Sequence, residues 1–470
     1  MEPSLEESVV STVPLHINQF PNEIMEHIFG YLNLEERKYA SLVCHRWNLL
    51  AFGPHLLSEV VLQLTRPALE ELKQTNRSYR NINCRNLHFL TNYLPFLGPN
   101  LEGFQCKESI FRHQLREILK LAPNLKSLNI KAYYDNRVDS EPMPVMNKLV
   151  DLNIRGDLWF SEGFQTEEIF PNLSRMSVDF STLVGNTRVY EVLKNFSFQL
   201  KYLSFDKYDK APVAFDQSCF PHLNSIRMNA APGELRLKSF FSQFVNSNLT
   251  NAHIDCALED DILEAIAKIC DKLEKLHVNV FLIRGPGFAS LVQLANLKYL
   301  AICGPFHKDF TEQYIKPNNT VVNLEVTVCR TAETYFILLP DIIDKVIRSF
   351  LKMKRLYFNK PCGMFCVDSP SALTALVNVE ELIVNGIPNI TNNLPGSSNL
   401  KRLHIYNSRP YQMLDILSLL ERMPALRLLD FDCDLNSELS DVFHIRRKFP
   451  HCLVQRNRKP EIAVRLEVPM

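Results

Sequence analysis

The chain has 470 residues, 52 basic and 52 acidic side chains, 46% apolar and 22% charged residues. That balance belongs to a folded chain rather than a disordered one, and zero net charge removes the simplest case for nucleic-acid binding, which needs a basic excess or stripe. No apolar run approaches the roughly 18 residues that cross a bilayer, and the acidic start MEPSLEESVVSTVPL lacks the basic opening and apolar block of an export signal, so the expectation is a cytoplasmic and/or nuclear protein that engages neither membrane nor nucleic acid.

Residues 1–16 read as a flexible tail. Residues 17–56 differ from everything after them, beginning INQFPNEIMEHIFGYLNLEERKYASLVCHRWNLLAF. Pro21 suits a helix start, where its missing N–H costs nothing. Ile24, Ile28, Phe29 and Leu32 follow at helical spacing. A second helix is predicted from Leu34-Glu35-Glu36, with Ala40, Val43, Cys44 and Trp47 as its apolar stripe. Forty residues bury too little surface to be stable alone, so two or three short amphipathic helices with exposed apolar faces imply a partner.

This stretch resembles the F-box motif, through Phe20-Pro21, Ile24, Ile28-Phe29, Tyr31-Leu32, Ala40, Val43-Cys44 and Trp47. It departs from the family pattern at Phe20, where leucine is commoner, and at Asn33-Leu34, where a proline-containing turn is often found. The resemblance implies binding to the Skp adaptor and, through it, the cullin of a cullin–RING ubiquitin ligase, with Phe20, Pro21, Ile24, Ile28 and Trp47 as the adaptor-binding residues. The domain behind such a motif selects the protein to be ubiquitinated.

Gly53-Pro54 marks a turn, residues 57–64 alternate like a strand, and 66–74 read as a helix. Residues 57–99, with the irregular NCRNLHF at 83–89, are taken as an N-terminal solenoid cap. From 100 onward a unit typified by NLKYLAI at 296–302 recurs, with close copies at 124–130, 148–154, 272–278 and 399–405. The fourteen copies start between 100 and 425, on average one every 25 residues. An L-x-x-L-x-(apolar) core at that period is the mark of a leucine-rich-repeat solenoid, here taken to span 100–455 and to be followed by a tail at 456–470. With the N-terminal helices, the chain as a whole resembles F-box/leucine-rich-repeat proteins.

The fold class expected is therefore α/β: an N-terminal helical F-box, then a curved leucine-rich-repeat solenoid with parallel strands on its concave face. Return helices are predicted at 109–121, 259–270, 332–351 and 412–422, a last helix at 437–448 and a terminal strand at 449–454. Shorter turns are expected at 131–147, 279–295 and 385–398. No unit carries the consensus asparagine after its strand.

With the strand leucines inward, the outward column includes Ser177, Ser204, Arg227, His253, His277, Ala301, Glu325, Tyr357, Ile383 and His404. A neighbouring column at the strand ends takes Asp179, Asp206, Asn229, Asp255 and Asn279. Arg227, His253 and His277 should form one row able to seat a carboxylate or phosphate, while Asp206 and Asp255 would partly neutralise it. Relatives that hold substrate near their C-terminal repeats direct attention to Tyr357, Arg402, His404 and Tyr406.

Catalytic motifs are absent: there is no Gly-rich phosphate loop, no His-Glu-x-x-His and no Gly-x-Ser-x-Gly. Cys362 and Cys366 have no second pair at zinc-site spacing and read as loop thiols. The equivalent places of His253 and His277 in consecutive units follow from the repeat. The twelve cysteines, many in or beside strands (Cys84, Cys106, Cys303, Cys329), read as small buried hydrophobes. No cofactor, metal or enzymatic activity is expected. The chain reads as a substrate-recognition subunit acting on an unidentified protein. The alternatives are an adaptor-bound scaffold that never joins the cullin, or a stand-alone repeat protein that binds or inhibits an enzyme.

Overall fold

The computed structural model describes residues 16–65, 72, 77–85, 94–133, 141–156, 166–179, 193–208, 220–230, 241, 248–327, 340–359, 376, 378–386, 394, 396–397, 399–406, 413–431, 445 and 447–456. The helix expected at 66–74, most of the one at 437–448, the tail at 457–470, and Cys329, Cys362 and Cys366 lie outside them. The chain forms two compact units, Met1–Ile154 with Gly163–Asn172, and Arg155–Glu162 with Leu173–Met470.

The first unit opens with helices α1 (Asn22–Gly30), α2 (Leu34–Ser41), α3 (His45–Ala51) and α4 (Pro54–Leu57). Asn33 and Glu36 start α2 with a reciprocal cap. The Asn33 Oδ1 accepts from the N–H groups of Glu35 (2.9 Å) and Glu36 (3.0 Å), and the Glu36 carboxylate accepts from Asn33 N–H (2.9 Å). Asparagine thus does the work of the proline-containing turn. Asn33→Ala should cost about 1 kcal/mol, read as a shift in the denaturant midpoint.

Two expectations for this region change. The second apolar stripe is not one helix, because the chain breaks between α2 and α3 and leaves Val43 exposed in the turn. The predicted strand at 57–64 shrinks to β1 (Val61–Leu64), because Gly53 and Pro54 open α4, which ends at Leu57.

Strands β2 (Asn81–Cys84), β3 (Gly103–Phe111) and β4 (Ser127–Tyr133) follow β1 in parallel register, with β5 (Asp151–Arg155) beside β4. Helix α5 (Arg112–Leu121) begins three residues later than expected. After an irregularity in β3, residues Ser109–Phe111 resume pairing with Lys131–Tyr133, which keeps them extended.

The second unit is a parallel ladder of β6 (Arg175–Asp179), β7 (Tyr202–Tyr208), β8 (Ser225–Ala230), β9 (Asn251–Ala257), β10 (Lys275–Asn279), β11 (Tyr299–Cys303), β12 (Asn323–Thr327), β13 (Arg355–Asn359), β14 (Glu381–Asn385), β15 (Arg402–Tyr406), β16 (Leu428–Phe431) and β17 (Leu453–Arg456). Each strand pairs with the next. Helices α6 (Asp260–Ile269), α7 (Pro340–Ser349) and α8 (Met413–Arg422) lie in return segments. The terminal strand starts at Leu453, later than expected. Each unit is α/β by itself: the first sets helices ahead of parallel strands, and the second is a parallel strand ladder with return helices.

The repeat pattern explains the ladder. Its first and second leucines both point inward: Leu273, Leu276, Leu297 and Leu300 are all 0% exposed. Leu128, Leu152, Leu203 and Leu403 are equally closed off. Alternation along a strand then sends the residue between leucine and the last apolar position outward.

Adjoining turns are gripped through one main-chain carbonyl that accepts two successive N–H groups of the next unit. Glu274 C=O takes Lys298 (2.9 Å) and Tyr299 (3.0 Å), and Lys298 C=O takes Val322 (2.9 Å) and Asn323 (3.0 Å). The asparagine that opens many units has its own task. Asn296 Nδ2 donates to Asp271 C=O (2.9 Å), and in the first unit Asn124 Nδ2 donates to Pro99 C=O (2.7 Å). An asparagine ahead of the strand thus ties one turn to the turn before it. Asn296→Ala should cost about 1 kcal/mol, measurable by chemical denaturation.

Cysteines follow the apolar reading where they are described. Cys84, Cys106, Cys256, Cys270 and Cys452 are buried thiols outside any disulfide, whereas Cys303 is half-buried. Burial pushes the Cys256 and Cys270 thiols up to about 12, so neither is a ready nucleophile.

Candidate functional site

In the N-terminal helices, Met25, Phe29, Leu50, Ala51 and Leu56 form a closed core. Phe29 and Trp47 meet edge to face at 5.3 Å between ring centres, and Trp47 Nε1 donates to Asn18 Oδ1 at 2.6 Å. Arg46 ties the chain before α1 to α3, donating to the Phe20 carbonyl (2.5 Å) and twice to Asn22 Oδ1 (3.0 and 2.8 Å). No sequence pattern singles out Arg46 or Asn18. Their side chains fix the approach to α1.

The five residues named for adaptor binding separate under this geometry. Phe20, Ile28 and Trp47 are half-buried and pack on the core, so each serves folding as well as any contact. Pro21 and Ile24 are exposed. Ile24 leaves the apolar stripe assigned to it because Met25 and Phe29, one turn apart, take the inward face. Tyr31, Tyr39, Leu42, Val43 and Leu49 are also exposed, Leu42 to 80%. A segment of this size holding out so many large apolar side chains has an unmet need for cover.

The joint to the first strands is short and tied. Arg77 stacks its guanidinium 4.0 Å from the Phe52 ring centre and donates to Asn48 Oδ1 at 3.1 Å. Arg37 Nη1 donates to the Leu56 carbonyl at 3.1 Å.

In the second unit the outward column aligns residue for residue. Arg227 pairs with His253, His253 with His277, and onward through Ala301, Glu325, Tyr357 and Ile383 to His404 and Asp430. Ser204, Ala301 and Ile383 are nonetheless buried, so the column offers surface only in places. The neighbouring column changes at β9. An irregularity between Val278 and Asn279 pairs Asn279 with Ala257 instead of Asp255, and Asn279 Nδ2 donates to the freed Asp255 carbonyl at 3.3 Å.

Asp255 lies two residues beyond His253 and takes both imidazoles. His253 Nε2 is 2.8 Å from Oδ2, His277 Nε2 is 3.0 Å from Oδ1, and an Arg227 nitrogen is 3.6 Å from Oδ2. The two rings stack at 4.0 Å. Burial lowers the His253 pKa, against the opposing bond from Asp255. Burial alone would raise Asp255, but the hydrogen bond from His253 and the His277 imidazole beside it outweigh it and hold that carboxyl well below the usual range. A histidine depressed on folding contributes stability that is present above its unfolded pKa of about 6.5 and lost as pH falls through the folded value. Stability of the wild type should therefore decline as pH drops from about 6.5, more steeply than that of His253→Gln, in urea titrations at a series of pH values.

The C-terminal candidates form a second cluster. Arg355 and Arg402 both reach Glu381, at 2.9 and 2.7 Å. Tyr406 donates to Asp430 Oδ2 at 3.0 Å, and His404 Nδ1 lies 3.3 Å from the same oxygen. Tyr406 and Asp430 are buried, because the hydroxyl faces the carboxylate rather than solvent. Tyr406 is thus a support for His404, and the accessible members are Arg355 and Arg402. Tyr357 is half-buried, and burial with the Glu325 charge beside it raises its phenol pKa.

Comparison with known proteins bears first on the N-terminus. Residues 17–63 match the F-box-like family, so this stretch is an F-box-like domain reaching through most of β1, past the 17–56 expected from sequence. No curated protein sequence matches the chain. Similar solved structures include the yeast Rad7–Elc1 complex, at 12% identity, 94% of each chain covered and a TM-score of 0.35. Another is an internalin from Listeria monocytogenes at 13% identity, with 77% of this chain and 81% of that chain covered and a TM-score of 0.27.

Proposed function

We propose that this chain is a non-catalytic substrate-recognition subunit of a cullin–RING ubiquitin ligase. Its F-box-like domain docks on a Skp-type adaptor, and its repeat strands select the protein to be modified. The observation that carries this reading is the F-box-like domain at 17–63 with Ile24, Tyr39, Leu42 and Leu49 held out of its core. Burying such side chains in a partner supplies roughly 1.5–3 kcal/mol each. The accessible polar residues of the ladder, Arg227 with His253 and Arg355 with Arg402, are the contacts offered to substrate.

The test is co-purification with adaptor and cullin. The wild-type chain should recover both, and Ile24→Asp with Leu42→Asp should recover neither while melting as the wild type does. Adaptor without cullin would make the chain a scaffold. Recovery of neither by the wild type would make it a stand-alone repeat protein. For substrate, Arg227→Glu with His253→Ala is compared with Arg402→Glu alone, and loss of captured protein in only one of the two variants assigns the face.

A further inference from the structure

We propose that His253, Asp255 and His277 form a binding site for a divalent transition metal of the zinc type. This goes beyond the ligase reading and does not depend on it. Parallel register sets the two imidazoles side by side on β9 and β10, and strand alternation puts Asp255 on the same face as His253. One ligand atom from each of the three residues falls within 4.8 Å of the other two. Tetrahedral zinc with bonds of about 2.0–2.2 Å needs donors about 3.3 Å apart. The Asp255 oxygens already stand 2.8 and 3.0 Å from the two imidazole nitrogens, so an ion is admitted by small side-chain rotations.

A second observation points the same way. His277 Nε2 is buried and makes no hydrogen bond, its approach to Asp255 falling outside hydrogen-bonding geometry. A buried imidazole nitrogen without a well-aligned partner is costly in a folded chain, and coordination to a metal ion satisfies it. Two imidazoles and one carboxylate are a donor set of borderline softness that suits zinc, cobalt or iron(II) better than magnesium or calcium. Three protein ligands leave a coordination position open, as in sites that bind an outside ligand. The His253 side chain is 38% exposed, so that position is reachable from solvent or by a side chain of a bound protein. Arg227, 3.6 Å from Asp255, competes with the ion for the same carboxylate.

The probe is cobalt(II), followed by zinc competition, on the full chain with its cysteines reduced. Expected is one cobalt with a visible spectrum free of thiolate charge-transfer bands, displaced by zinc. His277→Gln and Asp255→Asn should each weaken binding at least tenfold and abolish the zinc-induced rise in Tm, read against each variant's own metal-free Tm. Arg227→Gln should tighten binding severalfold by freeing the carboxylate. The proposal is overturned by absence of binding below millimolar metal, by thiolate bands alone, or by binding that survives both ligand substitutions.

Discussion

Leu276→Ala should lower the unfolding free energy by about 2–5 kcal/mol. Leu276 is fully buried in β10, between Ala252 of β9 and Leu300 of β11 in the ladder register. Its removal leaves a cavity whose walls are held by main-chain hydrogen bonds on both sides. A solenoid conducts such damage to neighbouring turns first. Hydrogen exchange should therefore quicken most in β9, β10 and β11, and least in β15 to β17. An unchanged melting curve would mean that the inward register assigned to the leucines is wrong.

Phe29→Ala should cost about 3–5 kcal/mol and should abolish adaptor capture by a different route from the surface pair Ile24 and Leu42. Phe29 is 1% exposed, with the Trp47 ring on its edge, and the domain's closed core has few other members. Its loss should unfold the helices, read as lost near-ultraviolet tryptophan dichroism and rapid proteolysis around residues 20–50. The surface pair should leave both signals intact. If Phe29→Ala kept native dichroism and still captured adaptor, the core described for this domain would not be what holds it together.

The sequence was most legible where one residue type repeats at one spacing. Leucine at two fixed places per unit dictates both the inward face and the strand register, so the row from Arg227 through His253 to His277 follows from the repeat alone. Where an element's fate turned on a short-range competition, pattern was a weaker guide. Ile24 and Met25 are equally apolar, and only packing on Leu50 and Trp47 decides which turns inward. The stretch from 57 to 64 alternates like a strand, yet Gly53-Pro54 gives its first residue to a helix.

The site was half legible. Asp255 stands in the sequence as a neighbour able to neutralise the row, but its simultaneous approach to both histidines depends on side-chain placement that leaves no mark on the leucine pattern. Arg46 and the unit-opening asparagines had a visible signal, recurrence or proximity to a helix start, without a visible partner. Their partners are main-chain carbonyls, which every residue possesses and no sequence distinguishes.

The shared carbonyl that grips each following turn also bears on how such a chain changes over generations. From Thr250 to Lys401 the same two-for-one arrangement recurs, although the intervening units run from 21 to 32 residues. Duplicating or deleting one whole unit in the gene rebuilds a joint of identical chemistry, whichever pair of turns becomes adjacent. The coding region can thus gain or lose area on its outward column in single steps, where a closed core would have to be redesigned. A lineage under pressure from a changing partner would alter its number of turns as readily as the residues upon them.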